Sequence, residues 1–418
     1  MNRRLRVCLD ARKCGDGGIG VYIRNAIFGL VHQPVDITLL TNDRTSLKNR
    51  LDSIPRSLWG DYDRSQLHII EVKAKPFTLQ ELFTLRREVE WSEFDIFHTP
   101  NYVLPFGISC PTVITIHDLI HLRLPERAFY PLIAGPLLLS SLLRTKRAIC
   151  VSNSTAAEVA KFCCSVRHLT RKLTVIPNAL CPTFTRKEVQ PAESLRSKFN
   201  LSESYFLSVL STVKPHKGLT DLLESFRLLE KKADKTKKKK LQLVLVGQGT
   251  ENIVKVEKLL QSTDCLKNVR LLGSVSQEEL YQLYAHAQAL IVPSFEEGFC
   301  LPVIEAQALQ TPVITRPIPA VLENVSPRDV VCTDFTVKSL KEGINRFLEK
   351  TASKEQNEAL LEAWQEGFSR RVDPHQIGSL LLQVYQQTAG FREGVHDREH
   401  RSLTEFTGDD GSSTKKVA

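Results

Sequence analysis

Pro293-Ser-Phe-Glu-Glu-Gly-Phe-Cys-Leu-Pro-Val-Ile-Glu-Ala-Gln-Ala-Leu-Gln-Thr-Pro-Val-Ile-Thr315 is the stretch on which the reading of this chain turns. The apolar run Ala289–Val292 before it has the length and composition of a buried strand. The strand leads into a glycine-containing loop that carries Glu297, and the loop enters a helix with Pro302 in its first turn and Glu305 just beyond. A helix entered this way leaves backbone N–H groups unpaired and presents the positive end of its dipole, a setting that favours anions such as phosphate. Glu297 and Glu305, eight positions apart, could accept hydrogen bonds from the hydroxyls of a sugar and a ribose. The segment therefore predicts a site for a sugar nucleotide.

Outward from this stretch, apolar runs alternate with helical periodicity along the chain. Leu5–Leu9, Val35–Leu40, Leu67–Val72, Ile96–His98, Thr112–His117, Ala148–Val151 and Leu173–Ile176 are the strands expected of a first domain spanning 1–178. A second domain over 205–373 is expected to hold Tyr205–Val209, Leu241–Val246, Val269–Leu272, Ala289–Val292 and Val313–Thr315. Near-continuous apolar strands joined by helices predict parallel sheets covered on both faces. The fold class is therefore α/β, with two doubly wound Rossmann-like domains facing a cleft. Between them, the polar, proline-containing 179–204 reads as a linker. Residues 393–418 are poor in apolar side chains and are expected to be a disordered tail. The seven lysines of Lys231–Lys240 read as a solvated loop between a helix ending near Glu230 and the strand at Leu241.

The length of 418 residues suits two domains of ordinary size, and 42% hydrophobic with 25% charged residues is the composition of a globular protein. The longest nearly apolar run, Pro131–Leu143, falls short of the roughly 20 residues a bilayer crossing needs, so no transmembrane helix is expected. The 10 cysteines show neither C-x-x-C pairs nor zinc spacing and read as reduced thiols, which suits a cytoplasmic protein. No metal site is expected. The net charge of +9 lies mostly in the first 178 residues, which favours an anionic partner. Nucleic acid is not expected, because no zinc finger, helix-turn-helix or aromatic RNA-binding signature is present. A peripheral contact with an anionic membrane surface at its inner, cytoplasmic face fits better.

Glu297-Gly298-Phe299, Leu301-Pro302, Glu305 and Pro312-Val313-Ile314 together resemble the donor-binding signature of family-4 retaining glycosyltransferases of the GT-B fold, in particular mannosyltransferase-like members. Cys300 and Gln310 stand where that family usually has glycine. The first places a Cβ where the backbone would approach a donor, and the second reads as a loop variation. The resemblance runs over about residues 5–390. It implies that the helix 374–392 crosses back to brace the first domain.

It also implies roles for particular residues. Gly17, Gly18 and Gly20, in the loop after the first strand, would close over a donor diphosphate. A strand-end histidine is more often structural, but His117, before Asp118, matches the family's catalytic-loop histidine and would hydrogen-bond the transferred sugar. His98 is a similar strand-end candidate. Lys217, in Val213-Lys214-Pro215-His216-Lys217-Gly218, would stabilise the leaving diphosphate as charge develops on it. The family usually carries a further arginine a few residues earlier, where Ser211 and Thr212 stand here, so that part of the clamp is missing or falls to Lys214. Glu297 would hold the migrating sugar with Gly298, Phe299, Cys300 and Leu301 around it, and Glu305 would hold the ribose. Gly247, in Val246-Gly247-Gln248-Gly249, and the backbone of Arg270–Val275 would face the nucleobase. Asn178 is expected to cap or hinge the domain junction.

The expected activity is retaining, metal-independent transfer from a nucleotide-sugar co-substrate to a glycan or lipid-linked acceptor, without a bound cofactor. GDP-mannose is favoured and a UDP-sugar stays open. Two rival readings stand beside it, a sugar-nucleotide epimerase of the same fold and a non-catalytic, degenerate binding subunit.

Overall fold

The structure, a computed structural model, describes residues 3–391 apart from 16, 53, 55, 60–61, 63–66, 165, 186–187, 211–213, 237–240, 248–253, 255, 259, 262–267 and 354–357. Ser211, Thr212, Val213, Gln248, Gly249, Cys265 and the expected tail 393–418 thus lie outside the described residues.

Seven strands form the first sheet: β1 (Leu5–Asp10), β2 (Val35–Thr41), β3 (His68–Glu71), β4 (Ile96–Thr99), β5 (Thr112–Ile116), β6 (Arg147–Cys150) and β7 (Leu173–Val175). Six form the second: β8 (Tyr205–Leu210), β9 (Gln242–Gly247), β10 (Val269–Gly273), β11 (Ala289–Val292), β12 (Val313–Thr315) and β13 (Val330–Val331). All strand pairs are parallel. The orders are β3-β2-β1-β4-β5-β6-β7 and β10-β9-β8-β11-β12-β13. Each sheet reverses its order beside its first strand, between β1 and β4 and between β8 and β11. Open α/β sheets leave a crevice at the carboxyl ends of such a pair, and ligands bind there. The two doubly wound domains expected from the strand pattern are present. Among the described strands, β13 alone had no signal in the sequence, since two residues are too few to show a period.

Two stretches fold differently from their reading. The helix Leu219–Thr236 buries Leu219, Leu222, Leu223, Phe226 and Leu229 on one face, then continues past Glu230 into the lysine block instead of ending there. Lysine and alanine are good helix formers, and propensity alone can extend a last turn. The stretch 179–204, read as a linker, contains the 3-10 helix Pro182–Thr185 and the α-helix Ala192–Phe199. Its Leu180, Phe184, Leu195 and Leu201 are buried in the core of the second domain.

The helix Pro374–Ala389 packs along the first-domain helix Gly17–Val31, and its Ile377, Leu381 and Tyr385 join the first-domain core. Contact is backbone to backbone. A Cβ on Gly29 would come within 2.3 Å of the Pro374 carbonyl oxygen, and one on Gly378 within 2.2 Å of the Gly29 carbonyl oxygen. No helix among the described residues is long and apolar enough to cross a membrane.

Candidate functional site

The second domain contributes a set of charged side chains that hold one another. β11 ends at Val292, and the loop that follows carries Ser294 and Glu297 to the head of the helix Leu301–Ala308. The short 3-10 turn Pro215–Lys217 after β8 brings Lys217 to the same place. Lys217 Nζ donates to both Glu297 oxygens, at 2.8 and 2.9 Å, and the Ser294 hydroxyl donates to Glu297 Oε1 at 2.6 Å. Burial works against the ammonium of Lys217, but the Glu297 carboxylate more than offsets it, so the lysine pKa is raised and the group stays charged. Deeper in, the Tyr284 hydroxyl donates to Glu305 Oε2 at 2.8 Å. Desolvation nevertheless pushes the Glu305 carboxyl up to about 7. The loop is fixed at its start by Arg316, whose buried guanidinium donates to the Pro293 carbonyl and pairs with Asp221. Ser294, Tyr284 and Arg316 escaped the sequence reading. Their motif neighbours carry no mark of these pairings, which exist only once strands and helices are stacked.

Cys300 caps the helix with φ +68°, and Gln310 beyond its end has φ +57°. Both are left-handed conformations, so the two positions where the resembled family has glycine are those whose backbone calls for it. Gln310 is thus more than a loop variation. The Cys300 thiol is buried, which raises its pKa and keeps it protonated.

The first domain contributes the neutral His117 and, next to it, Asp118, which also borders the cavity and whose pKa is lowered because, against burial, hydrogen bonds from His121 and the Ile120 N–H favour the carboxylate. His117 ends β5, with Nε2 3.1 Å from the Pro100 carbonyl and its ring edge-on to Tyr22 at 4.9 Å between centroids. Burial lowers its pKa, so the imidazole is uncharged near neutrality. His98 is not in the site. It is fully buried, with Nδ1 2.7 Å from the Tyr385 hydroxyl and Nε2 2.7 Å from Thr115 Oγ1, and burial pushes its pKa down to about 3. Thr115 Oγ1 in turn lies 2.9 Å from the Tyr22 hydroxyl. His98 therefore ties the returning helix Pro374–Ala389 to the strand that carries His117.

Both halves line one cavity of about 330 Å³. Gly17, Gly18, His117, Lys217, Gly247, Glu297, Gly298, Phe299, Cys300, Leu301 and Glu305 all border it, as do Gly273, Ser274 and Val275 from the stretch after β10. A side chain on Gly17 or Gly18 would meet nothing within 4 Å, so both leave open space at the wall. Two expected donor contacts are not on the lining. Gly20 is a packing glycine, since its Cβ would sit 2.5 Å from the Cys14 carbonyl oxygen. Lys214 reaches across the rim to Glu126 at 2.7 Å. Asn178 also borders the cavity, with a buried Oδ1 that no protein group satisfies.

The domains meet at Gly298. A Cβ on Gly298 would lie 1.8 Å from the His117 carbonyl oxygen, and Ser152 Oγ donates to the Gly298 carbonyl at 2.7 Å. Arg123 pairs with Glu296 at 2.9 Å across the same seam. Among the described residues no cluster of His, Cys, Asp or Glu could hold a metal ion.

Residues 16–183 match the family model of Glycosyltransferase Family 4, and residues 192–364 that of Glycosyl transferases group 1. The chain is similar to the O-antigen chain mannosyltransferase RfbU of Salmonella typhimurium, with 29% identity over 56% of this chain and 63% of that one. It is also similar to the serotype-specific mannosyltransferase WbdA of Escherichia coli, with 27% identity over 69% of this chain and 39% of that one. It therefore spans less than two thirds of either relative. Among solved structures, the Anabaena protein HepE in complex with UDP-glucose superposes with a TM-score of 0.69 at 15% identity, over 92% of this chain and 100% of that one. The sucrose-phosphate synthase of Thermosynechococcus elongatus does so with 0.67 at 17% identity, over 93% and 100%. At such identities the likeness is one of fold.

Proposed function

Because the chain belongs to the family-4 glycosyltransferases, mannosyltransferase-like and of GT-B fold, we propose that it transfers a sugar from a nucleotide-sugar donor to a glycan or lipid-linked acceptor, with retention at the anomeric carbon and without a metal. The observation that carries this reading is the Lys217–Glu297 pair, set in one cavity with Glu305, His117 and the open glycines of the first loop. A donor placed along that wall meets each group in order of need. Glu305 accepts from the ribose hydroxyls. Lys217 turns from Glu297 toward the diphosphate and neutralises the charge that grows as the anomeric C–O bond breaks. Glu297, released from the lysine, accepts from hydroxyls of the sugar. His117, neutral, hydrogen-bonds the sugar from the other domain, and Asn178 Oδ1 offers a further acceptor. GDP-mannose is the favoured donor, in line with the mannosyltransferases to which the chain is similar.

A second reading, a non-catalytic nucleotide-sugar binding subunit, draws on Cys300, whose side chain occupies the pocket wall where the family usually has none. One experiment separates the two. The protein is titrated with GDP-mannose, UDP-glucose, GDP and UDP while melting temperature and nucleoside diphosphate release are followed. A ligand at about 100 times its Kd adds roughly 2.7 kcal/mol of stability. A shift with GDP-mannose and release of GDP supports transfer, and a shift without turnover on a panel of acceptors favours the binding subunit. No shift with any donor refutes both.

A further inference from the structure

We propose that Asp118 receives the acceptor, binding hydroxyls of an uncharged sugar at its reacting end and turning away a phosphorylated one. The inference rests on the transfer reading and adds to it a residue and an acceptor class. Asp118 lies one position beyond His117, just past the end of β5, and both border the cavity. A Cβ on Gly298 would come within 2.9 Å of the Asp118 Cβ. The carboxylate therefore stands beside the neighbour of Glu297, at the end of the cavity where the sugar is placed, and away from the nucleobase wall.

Its surroundings hold one oxygen and leave the other open. Oδ1 accepts from the Ile120 N–H at 3.0 Å and lies 3.9 Å from His121 Nδ1. The His121 ring is stacked on Tyr102, 6° from parallel with centroids 4.9 Å apart, which fixes it in place. Oδ2 has no protein hydrogen-bond donor among the described residues, and 35% of the side chain is accessible. A carboxylate oxygen that faces a cavity is matched by a hydroxyl. The hydroxyls of the transferred sugar have Glu297 and His117, and a diphosphate would be repelled. The acceptor is the remaining substrate, and it must reach the anomeric carbon beside these same groups.

This corner is short of available positive charge. Glu158 and Glu296 share Arg123. Burial raises the pKa of both, and the charge of Asp118 adds to it. Lys13, whose charge reaches His117, rests on the Phe77 ring at 4.2 Å, and Lys217 is held by Glu297. A phosphate on the reacting sugar of the acceptor would thus meet carboxylates, and specificity is obtained by such repulsion as well as by attraction. A hydroxyl, which can donate to a carboxylate, meets no such opposition. Asn178 Oδ1, buried and unpaired in the same cavity, independently marks the pocket as one for groups that donate hydrogen bonds.

The test compares two acceptors. A donor that raises the melting temperature is supplied, and release of nucleoside diphosphate is followed with water alone, with methyl α-D-mannopyranoside and with mannose 6-phosphate. We expect the neutral glycoside to accelerate release and the phosphate to do so far less. Asp118→Asn should raise the KM for the glycoside on the order of tenfold and narrow its advantage over the phosphate, with the melting shift by the donor retained. The substitution keeps the shape of the side chain, and the melting temperature of the free variant reports its folding. A merely structural aspartate would leave the ratio of the two acceptors unmoved. An unchanged KM, a donor affinity lost as far as that for the glycoside, or mannose 6-phosphate as the better acceptor would overturn the proposal. So would a glycoside that accelerates nothing. A protein whose melting temperature no donor raises would instead overturn the transfer reading, so the two failures are told apart.

Discussion

The two walls of the cavity differ in how their groups are held in place. The second-domain wall is ionic, with Lys217 and Glu297 bonded to each other and Glu305 held by Tyr284. Its key residues fall within two short runs of sequence. The first-domain wall has no cation among its described lining residues and combines open glycines, an uncharged His117 set by Tyr22 and the Pro100 carbonyl, and the Asp118 carboxylate. Its support comes from Tyr22, His98, Thr115 and Tyr385, spread over most of the chain. The difference teaches that a local motif can place a charged residue, while its partner is brought from elsewhere, as Lys217 and Glu297 meet although 80 positions apart. Shape needs only close packing, which any part of the chain can provide. On the proposed function, the second domain supplies the charge stabilisation and Glu297, and the first domain adds His117 from the other side of the sugar.

The sharpest way to break this division is Lys217→Ala. If the cation acts on charge that develops during departure, turnover should fall on the order of 100- to 1000-fold while donor affinity changes far less. Steady-state kinetics with saturating donor decide it, and turnover equal to that of the unaltered protein would remove Lys217 from the chemistry. Gly298→Ala comes next, since it strikes the seam where the walls meet. A methyl group 1.8 Å from the His117 carbonyl cannot be accommodated without parting the domains. Misplacement of about 1 Å can cost about 100-fold in rate. Nucleoside diphosphate affinity, which rests on the second wall, should remain. If calorimetry shows affinity and turnover lost in equal measure, the two walls are not separable.

Glu305→Gln should weaken nucleoside diphosphate binding by about tenfold, the effect of one hydrogen bond to a charged acceptor. The same carboxyl sets a pH dependence. Its pKa is raised to about 7 in the folded protein, so the folded state holds its proton longer than the unfolded chain does. The stability it contributes is full below the ordinary carboxyl range and is lost as pH rises through about 7. Binding runs the other way, because the ribose hydroxyls need the ionised acceptor. Affinity for the diphosphate should climb between pH 6 and 8, a window of about one unit either side of that pKa, and the slope should vanish in Glu305→Gln. The smallest effect is expected from Gln310→Gly. Relief of a left-handed conformation is worth about 1–2 kcal/mol, and the greater freedom of glycine in the unfolded chain takes back roughly half. Thermal melts should show a gain of about 1–3 °C with kinetics unchanged. A loss of stability would mean that the Gln310 side chain, which touches Arg328, matters more than its backbone.

By itself the sequence determined the two sheets and the loop that carries Glu297 and Glu305, while the returning helix was implied by the family resemblance. Apolar runs such as Val7–Leu9 and Leu290–Val292 must be buried wherever they lie, and the Glu297–Glu305 loop has its chemistry in consecutive residues. Tertiary structure alone decided the rest. Lys214 and Gly20 carried the right residue type at the right place in the motif, yet one pairs across the rim and the other packs on Cys14. Asn178 borders the cavity, and His98, a strand-end candidate, is locked beneath it. The left-handed backbone of Cys300 and Gln310 overrode residue preference, because the turns around the helix Leu301–Ala308 are set by what packs against them. The reason is the same in each case. A hydrogen bond or a close contact depends on distance in space, and residues far apart in the chain acquire that distance only when the sheets have formed and the domains have met.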